Sequence, residues 1–305
     1  MPGGHGFLGS RVMLSLKEKG YDAVPLSLRD GVDFRNFQQT KEVFEKYKFD
    51  AVINCAAFVG GIEYGYRKPG EIFFNNTIMS TYLMEAARLS GVKRFVNPIS
   101  NCSYPGRLTV DFKEEEWWDG PLHESVMVYG LARKVTWMQS WAYRQQYGFD
   151  TVNLILPNMY GPGDHFEEVR SHALGALIMK LVNAKRQNQS EVVVWGTGKP
   201  VREWLYVDDG AEIMIKGLDI KPIVEPVNVG VGYGVSILEL AELIKNEVGY
   251  KGKLVLDPSR PDGAPHKTMD NKKLREIFGW VPPTSLKEGI ANTVTWYSNN
   301  LKQGD

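Results

Sequence analysis

In YGLARKVTWMQSWAYRQQYG, Tyr129 and Arg133 stand four residues apart, the spacing that puts two side chains on one face of a helix. A phenol beside a fixed cation gives up its proton more readily. With a serine hydroxyl such as Ser100 it can polarise a carbonyl and protonate its oxygen as a hydride arrives. The competing reading of Tyr129 is ordinary helix packing against a core.

A second chemistry is written at the chain's start. GGHGFLG carries Gly3, Gly6 and Gly9, the spacing of a loop that backs a pyrophosphate against a helix N-terminus, where free amides and the helix dipole favour an anion. Such a loop follows a buried strand, yet only Met1 and Pro2 precede it. The first strand therefore reads as absent from this chain, leaving its neighbours unpaired, and the natural start is expected upstream. Further on, PLSLRD places Ser27 where an NAD-binding chain usually carries a carboxylate for the ribose 2'-hydroxyl, with Arg29 two residues later. A missing carboxylate beside a guanidinium suits the 2'-phosphate of NADP; otherwise Arg29 is a solvated surface residue.

These side chains need a scaffold. Leu8, Val12 and Leu16 repeat at helical spacing and Gly20 supplies a stop, which predicts a helix over residues 8 to 19. A short strand is expected at 22 to 26, then strands at AVIN (51 to 54), RFVNPIS (94 to 100) and TVNLIL (151 to 156), separated by helical patterns at about 70 to 90 and 126 to 147. Strands alternating with helices predict an α/β fold, a Rossmann-type doubly wound parallel sheet. After Tyr160 the turn-rich YGPGDHF opens a different texture, including a capping box from Ser236 to Glu239 on a helix that Gly249 ends. The expected division is a dinucleotide-binding domain over 1–162 with a return segment near 203–230, and a smaller substrate lobe from 163–202 and 231–305.

Composition narrows the function. The 305 residues carry 36 basic and 36 acidic side chains, which gives no global field to recruit nucleic acid or an anionic membrane. Cys55 and Cys102 are the only cysteines; they have no metal-ligand spacing, and no metal is expected. No apolar run reaches the length of a signal or membrane segment, so the cytoplasm is the expected location.

The motifs GGHGFLGS, AAFVGGI, SNCSYP, YGLAR, PNMYGPGDHF, RSHALGALI, VVVWGTGKPVREWLYVDD and RPDGAPHKTMD occur in an order and spacing that resembles the extended short-chain dehydrogenase/reductases, most closely their GDP-L-fucose synthase branch. The resemblance implies NADP(H) as cofactor, lined by Gly3, Gly6, Phe7, Leu8, Gly9, Arg29, Asp33, Ala56, Ala57 and Asn158. It makes Ser100 and Tyr129 the groups that hold and protonate a C4 oxygen, puts Arg133 at the family's lysine position, and matches Cys102 and His172 to an acid/base pair for epimerisation. Lys180, Trp195, Arg202 and Lys267 fall where relatives bind a nucleotide diphosphate-sugar, a GDP-sugar in this branch. The implied reaction is epimerisation and C4 reduction of an NDP-4-keto-6-deoxyhexose, with a homodimer built on the helices near 70 to 90 and 126 to 147. Read from the residues alone, Cys102 is equally a small buried hydrophobe and His172 a structural histidine.

One departure bears on the chemistry. Arg133 can lower the tyrosine pKa and bond a ribose hydroxyl, but it holds its proton too tightly to pass it along a relay. Lys134 points about 100° away around the helix. Slower reduction, a shifted pH optimum, or a reaction that ends after epimerisation is expected. Two alternatives follow: an epimerase or other nucleotide-sugar modifier without net reduction, and a non-catalytic nucleotide-sugar or dinucleotide binder. Trp117 and Trp118 carry no assigned role; a packed surface loop, a lid and a subunit contact all fit.

Overall fold

A computed structural model describes residues 1–60, 62–167 and 171–301. Gly61 and Arg170, part of two of the motifs above, lie outside them. The chain opens on helix α1 (Phe7–Glu18), whose buried face is Leu8, Gly9, Val12 and Leu16. Then follow α2 (Phe37–Tyr47), β1 (Ala51–Ile53), α3 (Ile62–Arg67), α4 (Pro69–Leu89), β2 (Arg94–Ser100), α5 (Met127–Tyr147) and β3 (Thr151–Leu156). Strands β4 (Asn158–Tyr160), β5 (Glu191–Trp195), β6 (Val201–Arg202) and β7 (Trp204–Tyr206) alternate with α6 (Ala173–Arg186) and α7 (Val207–Lys216). The chain closes with β8 (Val227–Asn228), β9 (Val235–Ser236), α8 (Ile237–Val248), β10 (Lys253–Asp257), β11 (His266–Lys267), α9 (Lys272–Phe278) and α10 (Leu286–Asn300).

The central sheet runs β1-β2-β3-β8, parallel throughout. Its strands are nearly continuous apolar runs because helices cover both faces. A buried amide ladder crosses it: Asn54 Nδ2 donates to Asn97 Oδ1, and Asn97 Nδ2 to Asn153 Oδ1, each at 3.3 Å. A slip of one residue would break this ladder and exchange the side chains packed on the two faces, so register is well specified.

Beside β1 stand the first three residues of the chain. The Leu26 amide donates to Met1 O, Gly3 N donates to Leu26 O, and Cys55 N donates to Pro2 O. Met1–Gly3 thus occupy the end of the strand position ahead of the glycine loop and bond to both sides of it. The strand expected over 22 to 26 is reduced to a single bridge, Leu26 with Pro2, because the ladder available to it is this short.

A second core lies beyond β4. Leu174, Ile178 and Leu181 of α6 pack with Leu240, Ala241 and Ile244 of α8 and with Val192 and Val194 of β5. Ser236 and Glu239 form the expected capping box on α8, and Gly249 ends it in the left-handed conformation. Beyond the carboxyl end of β2, around the Asn101–Ser103 turn, lies a cleft lined by Cys102, His123, His266 and Lys267.

Candidate active site

The glycine loop owes its shape to contact. A Cβ at Gly9 would overlap the Gly3 carbonyl, and one at Gly3 would overlap the Cys55 backbone. Gly6 caps α1 without a side-chain bond, so the amides of Phe7 and Leu8 in its first turn keep their capacity for an anion. The facing loop is held by Asn54 Oδ1, which accepts the Ala56 amide at 3.0 Å, and Ala56 and Ala57 close this side. At the far end of the loop Arg29 is exposed. Asp30 is the carboxylate nearest the end of that segment: it accepts from Ser27 Oγ at 2.9 Å and faces His5 Nε2 at 3.1 Å. Sequence reasoning passed over both His5 and Asp30. Asp33 is occupied by Arg35, which donates to its two oxygens at 2.8 and 2.7 Å and holds its carboxyl below the usual range.

Ser100 ends β2, and its Oγ accepts the amide of Cys102 at 3.1 Å, fixing the turn Asn101–Ser103. Helix α5 is brought onto this turn by Gly130, where a Cβ would overlap the Cys102 carbonyl. That contact brings the first turn of α5, in which Tyr129 precedes Gly130, onto the Asn101–Ser103 turn. Arg133 lies on the same helical face, its guanidinium carbon 4.9 Å from the centre of the Tyr129 ring. It is 2% exposed, and Nη2 donates to Asn76 Oδ1 at 3.3 Å. Its Nε and Nη1 are buried without a partner, a costly state unless a ligand accepts from them. Lys134 is indeed turned away: its ammonium lies 4.2 Å from the centre of the Trp118 ring and 5.1 Å from that of Trp117 and bonds the Trp117 carbonyl. Burial lowers it to about 8. Trp117 and Trp118 therefore pack over α5 with Trp137.

On the other wall, Lys267 Nζ donates to the Cys102 sulfur at 3.2 Å. Burial by itself would raise the thiol; the Lys267 charge, bonds from Ser100 and Lys267, and the Arg202 charge outweigh it and hold Cys102 below its ordinary value. His172 precedes α6 as its N-cap residue. Its side chain is exposed, but the protein atoms crowded around the ring and the charges of Lys267 and His165 hold the imidazole below the ordinary value, so Lys267 acts on both Cys102 and His172. Arg202, drawn to about 10 by burial, donates to Val201 O at 2.8 Å and Asp262 O at 3.2 Å. A small cavity beside Cys102 is lined by His123, His266 and Lys267 among others; neither histidine was singled out from sequence.

Further along the cleft Trp195 lies between two cations, Lys180 Nζ at 4.6 Å and Arg260 Cζ at 4.7 Å from its ring centre. Arg260 belongs to the RPDG motif but was not read as a site residue. Asp262 of the same motif pins the opposite turn, accepting the Thr197 amide and hydroxyl at 2.7 Å each. Asn158 is half-buried on β4, opposite Trp204. The residues described offer an anion-binding loop, a thiol under a lysine ammonium, and a cationic aromatic platform.

Residues 1–230 match the NAD dependent epimerase/dehydratase family. This chain belongs to that family. It is similar to a protein named "Probable GDP-L-fucose synthase 1" from Oryza sativa subsp. japonica, 38% identical over 98% of this chain and 91% of the relative. Among solved structures it resembles a GDP-6-OMe-4-keto-L-xylo-heptose reductase from C. jejuni, with TM-score 0.91 and 26% identity over 98% of this chain and 97% of the other. A GDP-L-fucose synthetase from Naegleria fowleri bound to NADP matches with TM-score 0.87 and 28% identity over 98% of this chain and 93% of that one. The epimerase/dehydratase scaffold accounts for the parallel sheet, the glycine loop and the cleft beside it.

Proposed function

We propose that this epimerase/dehydratase family member is an NADPH-dependent epimerase/reductase of a GDP-linked 4-keto-6-deoxyhexose, converting GDP-4-keto-6-deoxymannose to GDP-L-fucose or a close analogue. The observation that carries this reading is the Lys267 ammonium against Cys102, beside Ser100 and one helical residue from Tyr129. A pure reductase has no need of a thiol held ready to exchange protons.

The residues fit the cofactor. Gly3, Gly6 and Gly9 would let the diphosphate reach the amides of α1, Arg29 would meet the 2'-phosphate, and the two unpartnered N–H groups of Arg133 would meet ribose hydroxyls. When bound, NADPH supplies hydride for C4. Ser100 and Tyr129 hydrogen-bond the C4 oxygen and so acidify the protons on C3 and C5. Cys102, as the thiolate that the Lys267 ammonium favours, takes such a proton, and His172 delivers one from the opposite face. Tyr129 then protonates the C4 oxygen. Arg202 and Lys267 face the sugar diphosphate, and Lys180, Trp195 and Arg260 the nucleoside end.

The assembly we propose is a homodimer through α4 and α5. Phe74, 61% exposed, on α4 and Met127, Leu131, Met138 and Trp141 on α5 are exposed large apolar side chains on two helices packed against each other, a surface that favours burial by a second copy. Among the described residues no helix is long and apolar enough to cross a membrane, and we place the enzyme in the cytoplasm with its NADPH.

Cys102→Ser tests the role of the thiol. It is expected to abolish deuterium uptake from solvent at C3 and C5 of the keto-sugar while NADPH still binds. Undiminished uptake would remove Cys102 from the reaction.

A further inference from the structure

Glu203 is a carboxylate with 0% exposure, and its bonds are all to backbone amides. Oε1 accepts from Val231 and, at 3.1 Å, from Gly232; Oε2 accepts from Met269 at 3.0 Å; its own amide donates to Lys267 O at 3.0 Å. A buried carboxylate is tolerated when donors surround it, and here the donors come from two segments that would otherwise be joined weakly. Burial raises Glu203 to about 8 against the pull of these amides.

The segment it holds is the one that carries Lys267. Strands β6 and β11 share only two residue pairs, Val201 with His266 and Arg202 with Lys267. So short a ladder sets register poorly by itself. Glu203, adjoining Arg202, holds the segment on both sides of Thr268: its backbone amide bonds the Lys267 carbonyl, and its carboxylate accepts the Met269 amide while tying it to Val231 and Gly232. Thr268 is tied in turn to Asp111. The groups acting on Cys102 are Lys267, Ser100 and Arg202, with His123 and His266 lining the adjoining cavity.

We propose that Glu203 is a positioning residue: its carboxylate anchors Met269, two residues beyond Lys267, to Val231 and Gly232 beside β6, so that the Lys267 ammonium stays on the Cys102 sulfur. The proposal rests on Cys102 as the acid/base of the reaction above, but its test needs no substrate. Alkylation of Cys102 by iodoacetamide is followed across pH on the full chain, resolved by peptide mass so that Cys55 does not contribute, and melting temperature is recorded alongside. Glu203→Gln keeps the shape but turns one acceptor oxygen into a donor facing the same amides; Glu203→Asp keeps the carboxyl group and withdraws it from them. Lys267→Met supplies the reference for a thiol without its cation.

Both Glu203 variants are expected to move the alkylation midpoint upward, toward that of Lys267→Met, and rates measured below the midpoint should fall about tenfold for every pH unit by which it rises. A lowered melting temperature with an unmoved midpoint would overturn the proposal, since a purely structural carboxylate would behave that way. Failure of both variants to fold would overturn it equally. Absence of isotope exchange in the unaltered enzyme would instead count against the proposed reaction and leave the thiol result standing.

Discussion

Lys267 places its ammonium 3.2 Å from the sulfur of Cys102, joining residues 165 positions apart in sequence. Such a contact favours thiolate over thiol and holds the thiol below its ordinary value. The exchange half of the proposed reaction should therefore rise with pH through the lowered thiol midpoint and level off above it. Lys267→Met removes the favourable charge, so its midpoint should move up and its exchange rate at pH 7 should fall by tenfold or more, read by deuterium incorporation. An unchanged profile would show that Lys267 does not act on the thiol.

Arg133 is expected to show in two measurements. Removing the guanidinium as Arg133→Met takes away hydrogen bonds to a charged group, worth about 1.5–3 kcal/mol, so NADPH affinity measured by calorimetry should weaken roughly 10- to 150-fold. Arg133→Lys restores a group that can pass a proton, and it should change the pH profile of the reductive step. Neutral behaviour of both variants would make Arg133 a packing residue.

Gly130→Ala forces a Cβ onto the Cys102 carbonyl. Overpacking of this kind costs about 1–3 kcal/mol, and because α5 and the Ser100–Ser103 turn must separate, activity should fall more than the modest loss in melting temperature suggests. Wild-type activity would mean that the close approach of α5 to the Cys102 turn is not needed for the reaction.

Trp195→Ala removes the ring that Lys180 and Arg260 flank. Stacking of a cation on an aromatic ring is worth about 0.5–2 kcal/mol, so KM for the GDP-sugar should rise roughly 2- to 30-fold with kcat nearly kept. A drop in kcat with KM intact would place Trp195 at the reacting sugar instead.

The sequence made the regular parts legible because periodicity is local. Strands 94–100 and 151–156 and the capped α8 fall where expected, and helices α4 and α5 within a residue or so of their patterns. The short strand before Ser27 was misjudged because its extent depends on a partner ladder, which the local residues do not encode. In the cleft, motif order brought out Ser100, Cys102, Tyr129 and Lys267 individually. What it did not bring out was that Lys267 bonds Cys102, since only the fold brings residues so distant in sequence together. His5 with Asp30 and Arg260 on Trp195 were missed for the same reason: each is an ordinary surface residue until its partner is known. Lys134 illustrates the converse, a lysine one step from the family's lysine position that helical geometry sends into the tryptophan cluster.

Whether one cleft carries both proton exchange and reduction is tested most directly by supplying GDP-4-keto-6-deoxymannose and NADPH in deuterated water and reading the product by NMR while NADPH absorbance is followed. The account predicts NADPH oxidation together with deuterium at C3 and C5. Oxidation without deuterium at either carbon, or no reaction with this substrate at all, would contradict it.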